Sequence, residues 1–362
     1  MASPKRIAVL LPNWVGDVVM AMPALRALRA HCRSACISYV GCGPALATLS
    51  GTEWADRMVL DTSRRKPMAA HFLAQVPRVR AGRFDLAVLL PNSFRSALLA
   101  WLAGVRRIAG YNRHGRGWML SDKLRPPRRA DGGFLPVPTI RYYLDLLEIL
   151  GVPRGSARME LPVTATELQA ADRLLDEAGI DRDGPLVMLN PGASFGVSKL
   201  WEPSRFAALA DLLTERHGAQ IIVNAAPPER PIAAQVVEAM GHRPAISFAH
   251  RRNTIGLLKG LMRRCTLLVT NDTGARHIAA AMGIGVVTLF GSTDPRWSQI
   301  DYEHERIVRV DVPCSPCQSK MCLQPAGPLY HQCMAAITPE MALAACEDVL
   351  AGVRGAGREP AP

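Results

Sequence analysis

This chain has no apolar run approaching the roughly 18 residues that a membrane-spanning helix needs, so a helical membrane protein is not expected. Residues 1–6 lead into a short apolar strand rather than a signal-peptide core, and no small-residue cleavage site follows. A cytoplasmic protein is expected. The phosphate-cradling pattern G-x-x-x-x-G-K-[ST] is absent, which excludes a P-loop nucleotidase. Gly41-Cys42-Gly43 lacks the third glycine of the dinucleotide fingerprint and follows the second strand instead of the first, so that reading is set aside. No short-period repeat is visible.

Acidic residues are scarce in one half only. Residues 1–160 carry 24 Lys and Arg against 10 Asp and Glu, whereas residues 161–362 carry 19 against 21. A basic half beside a near-neutral half suggests that one half meets an anionic partner. Nucleic acid, an acidic glycan and an anionic membrane surface all qualify, and an arginine-favouring genome produces the same bias. Cysteine is not scarce, but the count of nine is odd and no export signal is seen, so a full disulfide framework is not expected. Cys314, Cys317, Cys322 and Cys333 fall as C-x2-C-x4-C-x10-C. That spacing can hold zinc or an iron–sulfur cluster, yet it lacks a second C-x2-C. Reduced structural thiols or one redox-sensitive pair fit the same residues, and no metal is assigned.

What is present is an α/β pattern. With 362 residues, 49% of them apolar, the chain can build two globular domains. Strand-like runs at 6–11, 35–40 and 86–90 alternate with helical runs at 18–31, 96–103 and 142–150. A Pro-, Arg- and Gly-rich stretch at 125–138 reads as a loop. The alternation restarts near 160–185: helices at 165–178, 204–217 and 230–240, and strands at 185–189, 220–223, 267–269 and 286–290. A helix at 339–353 and a disordered tail follow. This predicts two doubly wound halves with a cleft between them, and ligands at the carboxyl ends of the strands. The expected domains are 1–165, 166–340, and a C-terminal helix and tail at 341–362.

The most informative segment is Val269-Thr270-Asn271-Asp272-Thr273-Gly274-Ala275-Arg276-His277. A strand delivers a polar turn in which Thr273 can cap a new helix, Gly274 lets a ligand approach, and His277 shares a helix face with Thr273. The first N–H groups of that helix make an anion site suited to a pyrophosphate. An ordinary capped helix with a buried histidine gives the same letters. In the first βα turn, Asn13-Trp14-Val15-Gly16-Asp17, Asp17 is either an N-cap or a carboxylate aimed into the cleft as a general base. Lys199, in the loop that opens Asn190-Pro191-Gly192-Ala193, is either a surface lysine or a point charge on a phosphate. Glu229 opens a helix on the same rim, where it can accept from ribose hydroxyls or simply stabilise the helix start.

Together these segments, with Leu90-Pro91-Asn92-Ser93-Phe94-Arg95-Ser96, resemble the ADP-heptose:lipopolysaccharide heptosyltransferases of glycosyltransferase family nine, and within them the branch that adds the second inner-core heptose. The matches run in family order over most of the chain. The resemblance implies a GT-B fold of two Rossmann-like domains and an inverting transfer without an obligatory metal or cofactor. It implies that Asp17 is the catalytic base, and that Lys199, Glu229, Asp272, Thr273, Gly274 and His277 bind the ADP-heptose donor. Asn13, Trp14, Asn92, Ser93, Arg95 and Arg113 are the acceptor-binding candidates. The acceptor implied is the lipopolysaccharide inner core at the cytoplasmic membrane face, not nucleic acid. Arg95, Arg106, Arg107, Arg113 and Arg116 flank an apolar helix and are candidates for contact with that anionic surface. Ala275-Arg276 and the glycine-free Asn224-Ala225-Ala226 depart from the family pattern, which bears on donor identity more than on reaction type. The alternatives are a different donor sugar, a GT-B nucleotide-sugar 2-epimerase, or a protein that binds without turnover.

Overall fold

The computed structural model describes residues 4–355, with side chains to residue 352; the tail expected to be disordered lies almost wholly outside them. The described residues form two compact units, one of residues 4–162 with 296–300, the other of residues 163–295 with 301–355.

In the first unit, β1 (Arg6–Leu10), β2 (Cys36–Gly41), β3 (Arg57–Leu60), β4 (Leu86–Leu89), β5 (Arg107–Tyr111) and β6 (Asp122–Leu124) make a parallel sheet in the order β3-β2-β1-β4-β5-β6. Its helices are α1 (Val15–His31), α2 (Gly43–Thr48), α3 (Met68–Arg80), α4 (Phe94–Leu102) and α5 (Thr139–Glu148). The central strands are apolar runs because helices cover both faces: Ile7 pairs with Ile37 on one side and Leu86 on the other, and all three are buried.

In the second unit, α6 (Ala165–Glu177) precedes β7 (Leu186–Asn190). Then come α7 (Pro203–His217), β8 (Gln220–Val223), α8 (Arg230–Ala239), β9 (Ile246–Ser247), α9 (Ile255–Arg264) and β10 (Leu267–Asn271). They are followed by α10 (Gly274–Ala281), β11 (Gly285–Phe290), β12 (Glu305–Arg309), α11 (Gln332–Ala335) and α12 (Pro339–Gly355). The parallel sheet order is β12-β11-β10-β7-β8-β9, the same winding as in the first unit. Each sheet therefore reverses its direction of growth once, between β1 and β4 and between β7 and β10. At such a switch point the loops leaving the two strands diverge and open a crevice beyond their carboxyl ends.

Helix starts differ from the sequence reading in ways that matter for the site. α1 begins at Val15, three residues early, with Trp14 as an N-cap that makes no side-chain cap. Asp17 is thus inside the first turn instead of capping it. α4 begins at Phe94 because the Ser93 hydroxyl accepts from the Ser96 amide at 3.2 Å. α6 carries a full capping box, Thr164 with Glu167. No helix among the described residues is long and apolar enough to cross a membrane.

Candidate active site

In the second unit, the residues singled out in sequence meet at the β7/β10 switch point. Asn190 ends β7, and its amide nitrogen donates to the hydroxyls of Thr270 and Thr273, each at 3.2 Å. Asn224, after β8, donates to Asn190 Oδ1 at 2.7 Å, and Asn253 donates to Asn224 at 2.6 Å. A ladder of amides thus ties the loops after β8, β7 and β10 together. Asn271 donates to the carbonyls of Pro191 and Gly192 at 2.8 and 3.2 Å, which fixes the glycine-bearing loop over the end of the sheet. Thr273 is the N-cap residue of α10 by position, but its hydroxyl is engaged with Asn190 and Thr270, so the expected side-chain cap is not made.

Lys199 is buried on this rim. Its ammonium donates to the Asp272 carbonyl at 3.0 Å and pairs with the Asp272 carboxylate, which also accepts from Thr293 Oγ1 at 2.9 Å. Burial works against the charge on Asp272, yet the Lys199 charge and hydrogen bond, with the Arg276 charge, hold its carboxyl below the ordinary 3.8. His277 is 3% exposed and its Nδ1 is buried without a hydrogen-bond partner. Burial, reinforced by the neighbouring Arg276, pushes its pKa down to about 3, so the ring is neutral near pH 7. Glu229 lies in the single turn before α8, accepts from Ser194 Oγ at 3.3 Å and from the Ala226 amide at 3.2 Å, and has its pKa raised by burial. Its carboxyl stands against Gly192, where a Cβ would come within 2.2 Å of it. A side chain at 192 would displace the Glu229 carboxyl from this position.

In the first unit, the β1 and β4 loops meet at the equivalent switch point. Asn13 and Ser93 line a shallow pocket, open to solvent, with Asp61, Ser63, Arg64, Pro91, Arg95 and Ser96. Asn92 Oδ1 accepts from the Tyr142 hydroxyl at 3.2 Å and from Arg116 at 3.3 Å, and the Tyr142 ring stacks on Tyr111 at 3.5 Å. Arg113 packs over the Phe134 ring at 3.9 Å. Trp14 is 58% exposed. Asp17 stands close enough to the buried Tyr143 hydroxyl for its charge to add to the rise in that group's pKa that burial causes.

Two of the five arginines expected to face an anionic surface do not. Arg116 is fully buried, donating to the carbonyls of Tyr111, Pro91 and Ser93; burial brings its pKa down to about 10. Arg107 forms a two-pronged pair with Asp122 at 2.9 and 2.7 Å. The sequence reading also missed Arg276 and Glu305, a buried fork-to-fork pair at 2.6 and 2.9 Å, with Thr288 donating to the same carboxylate and Arg276 4.0 Å from Asp272. In the sequence this arginine reads only as a departure from a family pattern. Among the described residues no group of three or more His, Cys, Asp or Glu side chains is placed to hold a metal ion, the four clustered cysteines included.

Residues 73–327 match the family model for glycosyltransferase family 9 (heptosyltransferase). The chain belongs to glycosyltransferase family 9. It is 27% identical over 355 residues to lipopolysaccharide heptosyltransferase 2 of Escherichia coli (strain K12), covering 93% of this chain and 96% of that one. Among solved structures, a glycosyl transferase family 9 protein from Veillonella parvula superposes with a TM-score of 0.80 at 22% identity, covering 96% and 97% of the two chains. E. coli ADP-heptose lps heptosyltransferase II gives 0.78 at 22% identity, covering 96% and 99%. The family 9 glycosyltransferase described here therefore has the GT-B fold, with one Rossmann-like sheet in each unit.

Proposed function

We propose that this enzyme transfers L-glycero-D-manno-heptose from ADP-heptose to the inner-core heptose of a lipopolysaccharide acceptor, with inversion at the anomeric carbon and no obligatory metal. Lys199 carries the reading: a buried ammonium beside the start of α10, at the strand-order switch, is a built site for a diphosphate. Thr273, Gly274 and His277 complete that site. Asp272 holds the lysine until the donor binds and then contacts the sugar, while Glu229 accepts from the nucleotide ribose. The neutral His277 can donate to phosphate from one ring nitrogen without carrying a charge of its own.

The acceptor and the base belong to the first unit, with Asn13, Trp14, Asn92, Ser93, Arg95 and Arg113 around the acceptor. An acceptor hydroxyl oxygen attacks the anomeric carbon as the bond from that carbon to the β-phosphate oxygen breaks. The electron pair leaves on ADP and the hydroxyl proton passes to Asp17. Attack opposite the leaving group inverts the centre. As the third residue of α1, Asp17 lies in the first turn, where the positive end of the helix favours a negative charge. It acts through its position beside the attacking hydroxyl more than through basicity. The acceptor is met at the cytoplasmic membrane face. The first unit supports this with exposed Trp101 and Trp118, edge-to-face at 5.5 Å, and with the solvent-exposed Arg106.

Donor preference tests the reading. ADP release from ADP-heptose should require a heptosylated inner-core acceptor and exceed UDP or GDP release from UDP- or GDP-hexoses by roughly 100-fold or more. Turnover with another nucleotide sugar and none with ADP-heptose overturns the heptose assignment.

A further inference from the structure

Asp272 has a cation facing each of its two oxygens, and only one of those cations can follow a ligand. Oδ2 pairs with the Lys199 ammonium and accepts from Thr293 Oγ1 at 2.9 Å. Oδ1 faces Arg276 Nη1 at 4.0 Å. Arg276 meets Glu305 through Nε and Nη2, at 2.6 and 2.9 Å, so Nη1 is the corner of the guanidinium that this pair leaves turned to Asp272. Thr288 donates to the same Glu305 carboxylate at 2.7 Å, and the Phe290 ring centre lies 5.1 Å from the guanidinium carbon. Side chains of β11 and β12 thus fix Arg276, which is fully buried. Lys199 is bound differently. Its ammonium contacts the Asp272 carbonyl and carboxylate and stands 4.8 Å from the Phe195 ring centre, contacts that a flexible four-carbon stem can exchange. A diphosphate at the start of α10 draws this lysine to itself and sets its own negative charge beside Asp272. The Asp272 side chain is only 10% exposed, and a carboxylate so far from water that loses its counter-ion takes a proton or moves away.

We propose that Arg276 is a positioning residue for donor binding: it is the cation that keeps Asp272 ionised and in place once a diphosphate has drawn the Lys199 ammonium away. The inference rests on the reading that the donor diphosphate takes Lys199, and it adds the residue that allows the lysine to leave. Glu305 has its part, because its fork holds the guanidinium back from the diphosphate and so reserves it for Asp272. The other titratable groups of this corner cannot replace the arginine. The His277 ring, one residue along α10, is neutral near pH 7, and the Arg276 charge helps to keep it so. Asp294, the residue after Thr293 in the loop following β11, is buried and offers no positive charge. An arginine that departs from the family pattern in sequence therefore acts on the aspartate four residues before it, on the same face of the helix start.

The test is calorimetric titration of the full chain with ADP, in buffers of different ionisation enthalpy, to count the protons exchanged on binding. Wild type and Asp272→Asn should exchange the same number, because Asp272 stays ionised throughout. The double variant Arg276→Met with Glu305→Leu should take up more protons than wild type. Its affinity for ADP should be about tenfold below wild type near pH 8 and recover toward wild type near pH 5, as protonation neutralises the carboxylate that no longer has a cation. Adding Asp272→Asn to the double variant should abolish the extra uptake. A double variant that binds ADP more weakly by the same factor at every pH, with wild-type proton exchange, would show a merely structural role and overturn the proposal. Extra uptake that survives Asp272→Asn would place the proton on His277 or Asp294 and overturn it as well. Should the double variant fail to fold, the first comparison decides: a proton taken up by wild type but not by Asp272→Asn contradicts the proposal. Because titration needs no turnover, the expected proton counts without heptose transfer would sustain the role of Arg276 while the transferase reading fails. Heptose transfer with wild-type proton exchange in the double variant would do the reverse.

Discussion

Arg276 and Glu305 are both almost wholly removed from water and satisfy each other through two hydrogen bonds. Removing one member leaves the other charged and buried. Glu305→Gln should therefore cost about 3–5 kcal/mol of stability in urea unfolding. Replacing both partners by apolar residues, Arg276→Met with Glu305→Leu, should cost much less. A loss in the double variant as large as in the single one would show that the pair stabilises by itself rather than by mutual neutralisation. His277 makes a second prediction. Its folded pKa of about 3 lies below the ordinary 6.5, so the unfolded chain takes up a proton that the folded chain refuses. Stability should fall through this residue as pH drops from 6.5 toward 3, and the histidine should have no such effect above that window. Asp272 acts in the same direction lower down: its contribution is present above 3.8 and is lost as pH falls through its depressed folded value. His277→Gln should flatten the pH dependence of the unfolding free energy between pH 6.5 and 4, measured against wild type at each pH. An unchanged slope would contradict the neutral, buried ring. Sequence identified His277 and Asp272 as donor-binding candidates but could not give their charge states, which arise from burial and from Lys199 and Arg276 packed around them.

At the scale of elements, α6 and α9 cross so closely that a Cβ on Gly260 would meet the Glu167 carbonyl oxygen at 2.3 Å. Beside that contact, the fully buried Lys259 ammonium lies 3.0 Å from the Glu167 carboxylate, the same side chain that closes the capping box of α6. Gly260→Ala should force the helices apart and lower stability by about 1–3 kcal/mol, while leaving the KM for donor unchanged. A stability equal to wild type would mean that the helices can part freely. The central strands were legible because a strand covered on both faces is an uninterrupted apolar run, as in Ile7-Ala8-Val9-Leu10. β3 was not legible, since its Arg57-Met58-Val59-Leu60 lies mostly exposed at the sheet edge, and β9 is only two residues long. The early starts of α1 and α4 were missed for a related reason. Exposed Trp14 and Phe94 interrupt the apolar periodicity at the very turns that carry the candidate site.

At the scale of the molecule, both clusters of candidate residues lie where strand order reverses, one in each sheet. Sequence could place each motif after a strand, but it could not say which strands are neighbours. Asn190 and Thr270 are eighty residues apart, yet they are register partners in the sheet. The basic half was equally legible in sum and illegible in detail. Arg106 faces solvent, whereas Arg116 supports the loop at Pro91 and Ser93 from beneath. Identical side chains take opposite roles because of carbonyls supplied from about two dozen residues away.

The central claim is that this family 9 enzyme transfers heptose with Asp17 as its base. The most direct measurement compares acceptor-dependent ADP release from ADP-heptose by wild type and Asp17→Ala, with ADP affinity measured for both by titration. The account predicts unchanged ADP affinity and a fall in kcat of about 10²–10⁴-fold. An Asp17→Ala enzyme that turns over at the wild-type rate would contradict it.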